Sequence, residues 1–302
     1  MCRWLAYSGR PVYLDQLLFK PERSLINQSL RAFKSQVATN GDGFGVGWYM
    51  TRPEPGLYRD YRPAWNDENL RSMAEQIQAR LFFAHVRAST GSTTSRANCH
   101  PFRHGRWLFM HNGQIGGFDS IARELDFALD PALYRARLGT TDSETFFLLA
   151  LTFGLEADPL VALAQAAGFV EDAMQCNGIV EPLRLTAALT DGERVFAVRY
   201  SSDRASPSLF FGGASGVRDS EGRLCVDGDD DESLLVVSEP LDRDFGNWTA
   251  VPEAQAVVAE PGGVLVKAFT PARRARATPA EGVLRDTQTA RGAATARTAT
   301  VD

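Results

Sequence analysis

No stretch of the 302 residues approaches the ~18 consecutive apolar residues that a membrane-spanning helix needs. The N-terminus, MCRWLAYSGRPVYLD, holds no apolar run of signal-peptide length, so a cytoplasmic rather than a secreted protein is expected. Cysteine is scarce: Cys2, Cys99, Cys176 and Cys225 lie far apart in sequence. That excludes a disulfide-built scaffold and fits a reducing compartment. Positive charge is not in excess. The formal net charge is -5, which excludes a dominant nucleic-acid footprint. Histidine is also rare. Cys99, His100 and His104 lie close enough in sequence to be metal ligands, but a second cysteine pair is missing, so no complete structural zinc site is spelled out.

What is present is an ordinary globular composition, 44% hydrophobic and 23% charged. Composition shifts at Pro271. From there to Asp302 there is no aromatic residue, and six arginines face three acidic residues. That stretch has too little apolar area to offset its ordering entropy and reads as a disordered, solvated extension; a basic arm touching nucleic acid is the alternative.

The body reads as mixed α and β. Helical spacing predicts helices over Ser24–Phe33, Glu68–Ala79, Asp119–Phe127, Asp142–Phe153 and Pro159–Met174. Strands are predicted at Gly43–Tyr49, Leu81–Val86, Trp107–His111, Thr186–Thr190, Val195–Tyr200, Leu209–Phe211, Leu234–Ser238, Ala256–Ala259 and Val264–Lys267. Asp191-Gly192 signals a hairpin. Late strands follow one another without helices, which favours antiparallel sheets. Residues 52–66, with Pro53, Pro55, Gly56 and Pro63, read as a surface loop.

Asn40-Gly-Asp-Gly-Phe-Gly-Val-Gly-Trp48 resembles a phosphate loop only in its glycine content. No helical period follows, so a strand with one small-residue face, approached closely by another backbone, fits better. Cys2 is more informative. Removal of Met1 by methionine aminopeptidase would leave a thiol and a free α-amine on one residue, and an α-amine with a pKa of ~7.7–8.0 can accept a proton near neutrality. One residue would then supply nucleophile and base. The alternative is a small buried residue leading into a first strand at Trp4-Leu5-Ala6-Tyr7. Arg87 stands where an apolar strand ends, suited to a carboxylate or simply solvent-facing. Asn112-Gly113 follows another apolar strand. It is either a hairpin turn or an oxyanion hole formed by the Asn112 amide and the Gly113 N–H. Thr141 with Glu144 matches a capping box, and Asp142 would sit in the first helical turn or pair with a substrate ammonium group.

Together these pieces resemble a class II glutamine amidotransferase domain of the N-terminal nucleophile hydrolase superfamily. The resemblance rests on Met1-Cys2, His85-Val-Arg87 followed by Thr90, Asn98-Cys-His100-Pro101-Phe102, His111-Asn112-Gly113 and Thr141-Asp142-Ser143-Glu144, in that order. Val236-Val-Ser238-Glu-Pro240-Leu241 is similar to a segment of free-standing members. The resemblance covers residues 2–268, followed by the tail at 271–302, and implies an α+β fold: a four-layer αββα sandwich of two antiparallel sheets between helical layers. It implies that Cys2 attacks a γ-glutamyl amide, that Asn112 and Gly113 hold the oxyanion, that Arg87 with Thr90 binds the α-carboxylate, and that Asp142 binds the α-ammonium. A γ-glutamyl thioester would form and be hydrolysed, with no metal or organic cofactor.

The implied partner is a small-molecule γ-glutamyl substrate, with neither membrane nor nucleic acid. After residue 268 no length remains for a synthase domain. The resemblance thus points to a free-standing γ-glutamyl amide hydrolase, like members that cleave γ-glutamyl intermediates of ergothioneine synthesis or degrade glutathione. The alternatives are a glutaminase subunit feeding ammonia to a separate synthase chain, and a non-catalytic binding or regulatory relative. One departure stands out: many class II domains carry Trp after the arginine, and here it is Ala88. The smaller residue predicts a looser pocket, open to a leaving amine larger than ammonia. His111 has no chemical role by resemblance, only packing or hydrogen bonding.

Overall fold

Side chains alternate over Trp4–Tyr7 of the first strand. Leu5 and Tyr7 face one side, Trp4 and Ala6 the other, and all four are buried. A strand that is apolar on both faces must be covered on both. The computed structural model, which describes residues 2–30, 40–89, 93–226, 233–260 and 263–273, shows what covers it.

The strands in chain order are β1 (Arg3–Tyr13), β2 (Phe44–Tyr49), β3 (Gly56–Asp60), β4 (Gln78–Val86), β5 (Phe102–His104), β6 (Trp107–Ile115), β7 (Leu183–Thr190), β8 (Val195–Ser201), β9 (Phe210–Gly213), β10 (Leu234–Val237), β11 (Trp248–Ala250), β12 (Gln255–Glu260) and β13 (Gly263–Ala268). The helices are α1 (Asp15–Leu18), α2 (Leu25–Leu30), α3 (Glu68–Ala74), α4 (Phe118–Phe127), α5 (Pro131–Tyr134), α6 (Asp142–Thr152) and α7 (Pro159–Cys176). A seven-stranded sheet runs β11-β9-β10-β1-β4-β2-β3 and a six-stranded sheet β13-β12-β8-β7-β6-β5. Every pairing is antiparallel.

Three apolar layers follow from the alternation. Leu5, Tyr7, Phe82 and Ala84 pack with α1, α2 and α3 outside the seven-stranded sheet. Phe109, Leu185 and Leu189 pack with α4, α6 and α7 outside the six-stranded sheet. Trp4, Phe83, Leu108, Met110, Ala197 and Val257 fill the gap between the sheets. The result is the four-layer αββα sandwich that the resemblance implied. Among the described residues no helix is long and apolar enough to cross a membrane.

Local chemistry accounts for the helix starts. Asp158 caps α7 by accepting from the N–H groups of Leu160 and Val161, with Pro159 in the first turn, where a missing N–H costs nothing. The glycine-rich run is a strand, β2, with small residues toward the gap. A Cβ on Gly45 would lie 2.3 Å from the His100 carbonyl oxygen, so that backbone approaches closely.

Several expectations need correction. Asn112 and Gly113 do not form a hairpin turn: β6 runs unbroken from Trp107 to Ile115 and pairs with β7 throughout that stretch. Residues 52–66 are not all loop, because Gly56–Asp60 pairs with β2 as an edge strand. Pro53 and Pro55 precede the ladder and Pro63 follows it, where no N–H is required. The helix over Glu68–Ala79 stops at Ala74, since Gln78 onward is taken into β4 by pairing with β1. Of the helix over Ser24–Phe33, Leu25–Leu30 is helical and the remainder from residue 31 lies outside the described residues. Of the expected tail, Ala272 donates to the Ala164 carbonyl at 2.8 Å and Arg273 pairs with Glu171 at 2.9 Å, both on α7. Residues 274–302 lie outside the described residues.

Candidate active site

The alternation that fills the gap also places the chemistry. Trp4 and Ala6 face the gap, and the same parity carries back to Cys2. Leu81 and Phe83 face it from β4, and the parity carries on through His85 to Arg87. Leu108 and Met110 face it from β6, and the next position of that set is Asn112. Trp4 pairs with His85, whose Nε2 lies 3.4 Å from the His111 carbonyl oxygen across the gap. Cys2, Arg87 and Asn112 therefore gather at one end of the space between the sheets.

Cys2 is half-buried, and its Sγ lies 3.4 Å from the Ala88 N–H nitrogen and 3.6 Å from the Ala88 carbonyl oxygen. Burial pushes the Cys2 thiol up; the Ala88 backbone and the charges of Arg87 and Arg3 oppose that shift. A thiol in this setting holds its proton and needs a base to release it. Burial also pushes Cys99 and Cys225 up, to about 11 and about 12, with no comparable site around them.

Arg87 is buried, and its Nη1 donates to the Asp42 carbonyl at 3.2 Å. Its backbone exchanges bonds with the turn before β2: Asp42 N–H to Arg87 oxygen at 3.1 Å, and Arg87 N–H to Gly43 oxygen at 2.8 Å. The Asp42 carboxylate accepts from the Ser89 N–H at 2.7 Å. The glycine-rich segment thus bears on the site as a brace for residues 87–89. Thr90 lies outside the described residues.

Asn112 is buried, and its side chain makes no hydrogen bond among the described residues. Gly113 next to it admits no side chain, since a Cβ there would lie 1.9 Å from the Arg184 carbonyl oxygen. Asp142 opens α6. One of its oxygens accepts from the Ile115 N–H at 2.9 Å and the other from the Ser143 N–H at 2.7 Å. This joins the helix to β6 three residues beyond Asn112. Thr141 caps α6 through the Glu144 N–H at 3.2 Å. The capping box is half formed: the Glu144 carboxylate reaches past Thr141 to the N–H groups of Leu138 and Gly139.

Sequence reasoning left three contributors without roles. His111 ties β6 to α6: its Nε2–H donates to the Arg184 carbonyl at 3.0 Å and its Nδ1 accepts from the Ser143 hydroxyl at 2.9 Å. A carbonyl can only accept, which fixes this tautomer, and burial keeps the ring neutral by lowering its pKa. Asn98 ties the segment at Thr93 to Thr140, donating to the Thr93 carbonyl at 2.9 Å and accepting from the Thr140 N–H at 2.9 Å. Its place in the Asn-x-His-Pro segment was the available signal. The third contributor is the Arg3–Glu239 pair: the Val236–Leu241 segment drew attention to Glu239, but no pattern pointed to Arg3 or to the pairing.

Ala88 is buried and presents its backbone to Cys2. A cavity of about 600 Å³ lies beyond Asn112-Gly113, lined by Gln114, Gly116, Thr140, Asp142 and Glu181. Among the described residues no three His, Cys, Asp or Glu side chains are placed to hold a metal.

Two facing antiparallel sheets between helical layers, with a cysteine, an arginine and an asparagine at one end of the gap, define an αββα architecture. A family model of class II glutamine amidotransferases matches residues 21–282. The chain belongs to the class II glutamine amidotransferase family. It is 37% identical to the probable glutamine amidotransferase DUG3 of Saccharomyces cerevisiae over 284 residues, covering 83% of this chain and 80% of that protein. It is 26% identical to the gamma-glutamyl-hercynylcysteine sulfoxide hydrolase of Mycolicibacterium smegmatis, covering 88% of this chain and 99% of that one. A solved glutamine aminotransferase class-II domain protein from Silicibacter pomeroyi superposes with a TM-score of 0.69 at 38% identity, covering 90% of this chain and 100% of that one. The glutamine phosphoribosylpyrophosphate amidotransferase of B. subtilis shares the fold, with a TM-score of 0.54 at 14% identity over 89% of this chain and 49% of that one.

Proposed function

We propose that the protein hydrolyses a γ-glutamyl amide by nucleophilic attack of Cys2 after Met1 has been removed. The carrying observation is the convergence of Cys2, Arg87 and Asn112 at one end of the gap, with the Asn112 amide hydrogen-bonded to no other described residue. The freed α-amine takes the proton that the buried thiol retains, and Sγ attacks the γ-carbonyl carbon. The carbonyl oxygen becomes an oxyanion held by the Asn112 amide and the Gly113 N–H. The ammonium then returns its proton to the amide nitrogen, the C–N bond breaks, and the amine leaves a γ-glutamyl thioester. Water, deprotonated by the same α-amine, attacks the thioester. Its C–S bond breaks, Sγ regains a proton, and glutamate departs. Arg87, with Thr90, receives the α-carboxylate as a bidentate partner, and Asp142 receives the α-ammonium.

The relative named as a hydrolase of a γ-glutamyl conjugate supports a free-standing hydrolase. The relative named as an amidotransferase supports the second reading, a subunit that delivers ammonia to a separate synthase chain. A panel of glutamine, glutathione and γ-glutamyl amides separates them. Strong glutaminase activity that appears only with a partner chain selects the second.

Mass spectrometry of the native N-terminus, with labelling by diazo-oxo-norleucine, tests the shared chemistry. Met1 is expected to be absent and the adduct to sit on Cys2. Retained Met1 in active protein, or an adduct on Cys99, Cys176 or Cys225, overturns it.

A further inference from the structure

Ladder pairing in the nucleophile's strand begins at Arg3, opposite Val86, so Cys2 lies outside it. Once Met1 is gone, the chain holds Cys2 from one side only. Among the described residues two contacts fix it: Sγ against the Ala88 backbone, and its own carbonyl oxygen, which accepts from Arg3 Nη1 at 2.9 Å.

Arg3 is almost fully buried and forms an ion pair with Glu239 at 2.7 Å. A buried guanidinium is tolerated only with such a partner. Glu239 belongs to the Val236–Leu241 segment, whose role the reaction leaves open, and that segment is anchored on several sides. The Ser238 N–H donates to the Trp4 carbonyl at 3.0 Å, and the Trp4 N–H donates to Ser238 Oγ at 3.0 Å. Ser208 Oγ donates to the Ser238 carbonyl at 2.9 Å, Gln28 Nε2 to the Pro240 carbonyl at 3.3 Å, and the Arg23 N–H to the Leu241 carbonyl at 2.7 Å. The segment is a fixed post, and Arg3 is the arm between that post and the backbone of Cys2.

We infer that Arg3 and Glu239 are positioning residues that lock the main chain of Cys2, holding the thiol and the freed α-amine in line with Asn112 and Gly113. The inference rests on the reading of Cys2 as the nucleophile. It assigns the late Ser238-Glu239-Pro240 segment to the reaction although it lies more than two hundred residues from Cys2 in sequence. A misplacement of roughly 1 Å in a nucleophile costs on the order of a hundredfold in rate. Substrate affinity, set by Arg87 and Asp142, is left alone.

The test uses the full chain, with removal of Met1 verified by intact mass in every variant. Arg3→Met and Glu239→Gln are expected to lower kcat on a γ-glutamyl amide by roughly 10- to 100-fold, with KM changed less than about threefold. Labelling of Cys2 by diazo-oxo-norleucine should slow in parallel. The charge swap Arg3→Glu with Glu239→Arg separates positioning from stability. It restores the ion pair, so the thermal midpoint should recover, but a carboxylate at position 3 has no donor for the Cys2 carbonyl, so kcat should stay low. Recovery of kcat in the swap overturns the inference. So does a kcat within twofold of wild type in both single variants, or a kcat loss that only follows the unfolded fraction. If wild-type Cys2 is not labelled at all, the reading of the nucleophile fails instead, and the two failures are distinct.

Discussion

The two sheets hold their halves of the site by different means. On the seven-stranded sheet, Cys2 and Arg87 lie just beyond the ends of β1 and β4, outside the ladder. Each is braced from elsewhere in the chain, Cys2 through Arg3 and Glu239, Arg87 through Asp42. On the six-stranded sheet, Asn112 sits within β6 opposite Thr186, and Asp142 is fixed by backbone N–H groups at the start of α6. A group whose own backbone is in the ladder inherits its position from the sheet. A group past the end of a strand needs contacts made for the purpose: for Cys2 the Arg3 guanidinium held by the distant Glu239, for Arg87 the backbone of Asp42 and Gly43.

The widest test of this comparison removes one proposed reacting group from each sheet. Cys2→Ala should reduce γ-glutamyl turnover by roughly 10⁴-fold or more, because no step proceeds without the thiol. Asn112→Ala should lower kcat by about 10²–10³-fold with little change in KM, the usual loss for one oxyanion donor. It should leave stability nearly untouched, since the amide bonds no other described residue. The double variant should be no slower than Cys2→Ala. If Asn112→Ala costs less than about tenfold, the oxyanion is held elsewhere and the six-stranded sheet contributes only substrate binding.

The same contrast governs what was legible in sequence. Alternation made most strands readable, and with them the fold, because both sheets are covered on both faces and their strands carry long apolar runs. The proposed site residues Cys2, Arg87, Asn112 and Asp142 were readable because they sit in short local patterns. Reading failed where local propensity was outvoted by pairing. Asn112-Gly113 spells a turn, yet β7 continues the ladder past it. The proline-rich stretch spells a loop, yet β3 adds to the edge of β2. Residues 75–79 continue a helical pattern, yet β1 draws Gln78 and Ala79 into a strand. The braces were invisible for another reason. Glu239 meets Arg3, and Asn98 meets Thr140, only after folding, so no spacing in the sequence encodes either contact.

The gap itself supplies the next test. His85 stands in it with its ring on that of His100, the centroids 4.2 Å apart. Burial, with the nearby Arg87 charge, lowers His85 to about 3. The ordinary value is about 6.5. The unfolded chain therefore takes up a proton on this residue below pH 6.5 while the folded chain refuses it until about pH 3. Stability from this residue is complete above about pH 6.5 and falls as pH drops. At pH 5 the loss is on the order of 2 kcal/mol. Urea unfolding at pH 7.5 and pH 5 should show it. His85→Gln, which keeps a donor for the His111 carbonyl but does not titrate, should lose about 2 kcal/mol less than wild type over the same interval. Equal losses would mean that the acid sensitivity arises from other groups, such as His100 and His111, which burial also holds neutral.

The smallest effects sharpen the comparison most, because two serines do matching work on opposite sheets. Ser143 donates its hydroxyl proton to His111 Nδ1 at 2.9 Å on the six-stranded side, and Ser238 accepts the Trp4 N–H at 3.0 Å on the seven-stranded side. Each alanine variant loses the two contacts of its hydroxyl, Ser143 also reaching Asp142 Oδ1 at 3.2 Å and Ser238 the Trp4 carbonyl at 3.3 Å, and should be destabilised by about 1–2 kcal/mol. Their effects on rate should part. In Ser143→Ala the His111 ring keeps its bond to the Arg184 carbonyl, and Asn112 keeps its place in the ladder, so kcat should remain within about threefold. In Ser238→Ala the strand that ends in Cys2 loosens beside its anchoring post, so kcat should fall by roughly tenfold while KM holds. Equal stability with unequal kcat would show that position is inherited on one sheet and imposed on the other. Equal losses of kcat would remove the distinction between them.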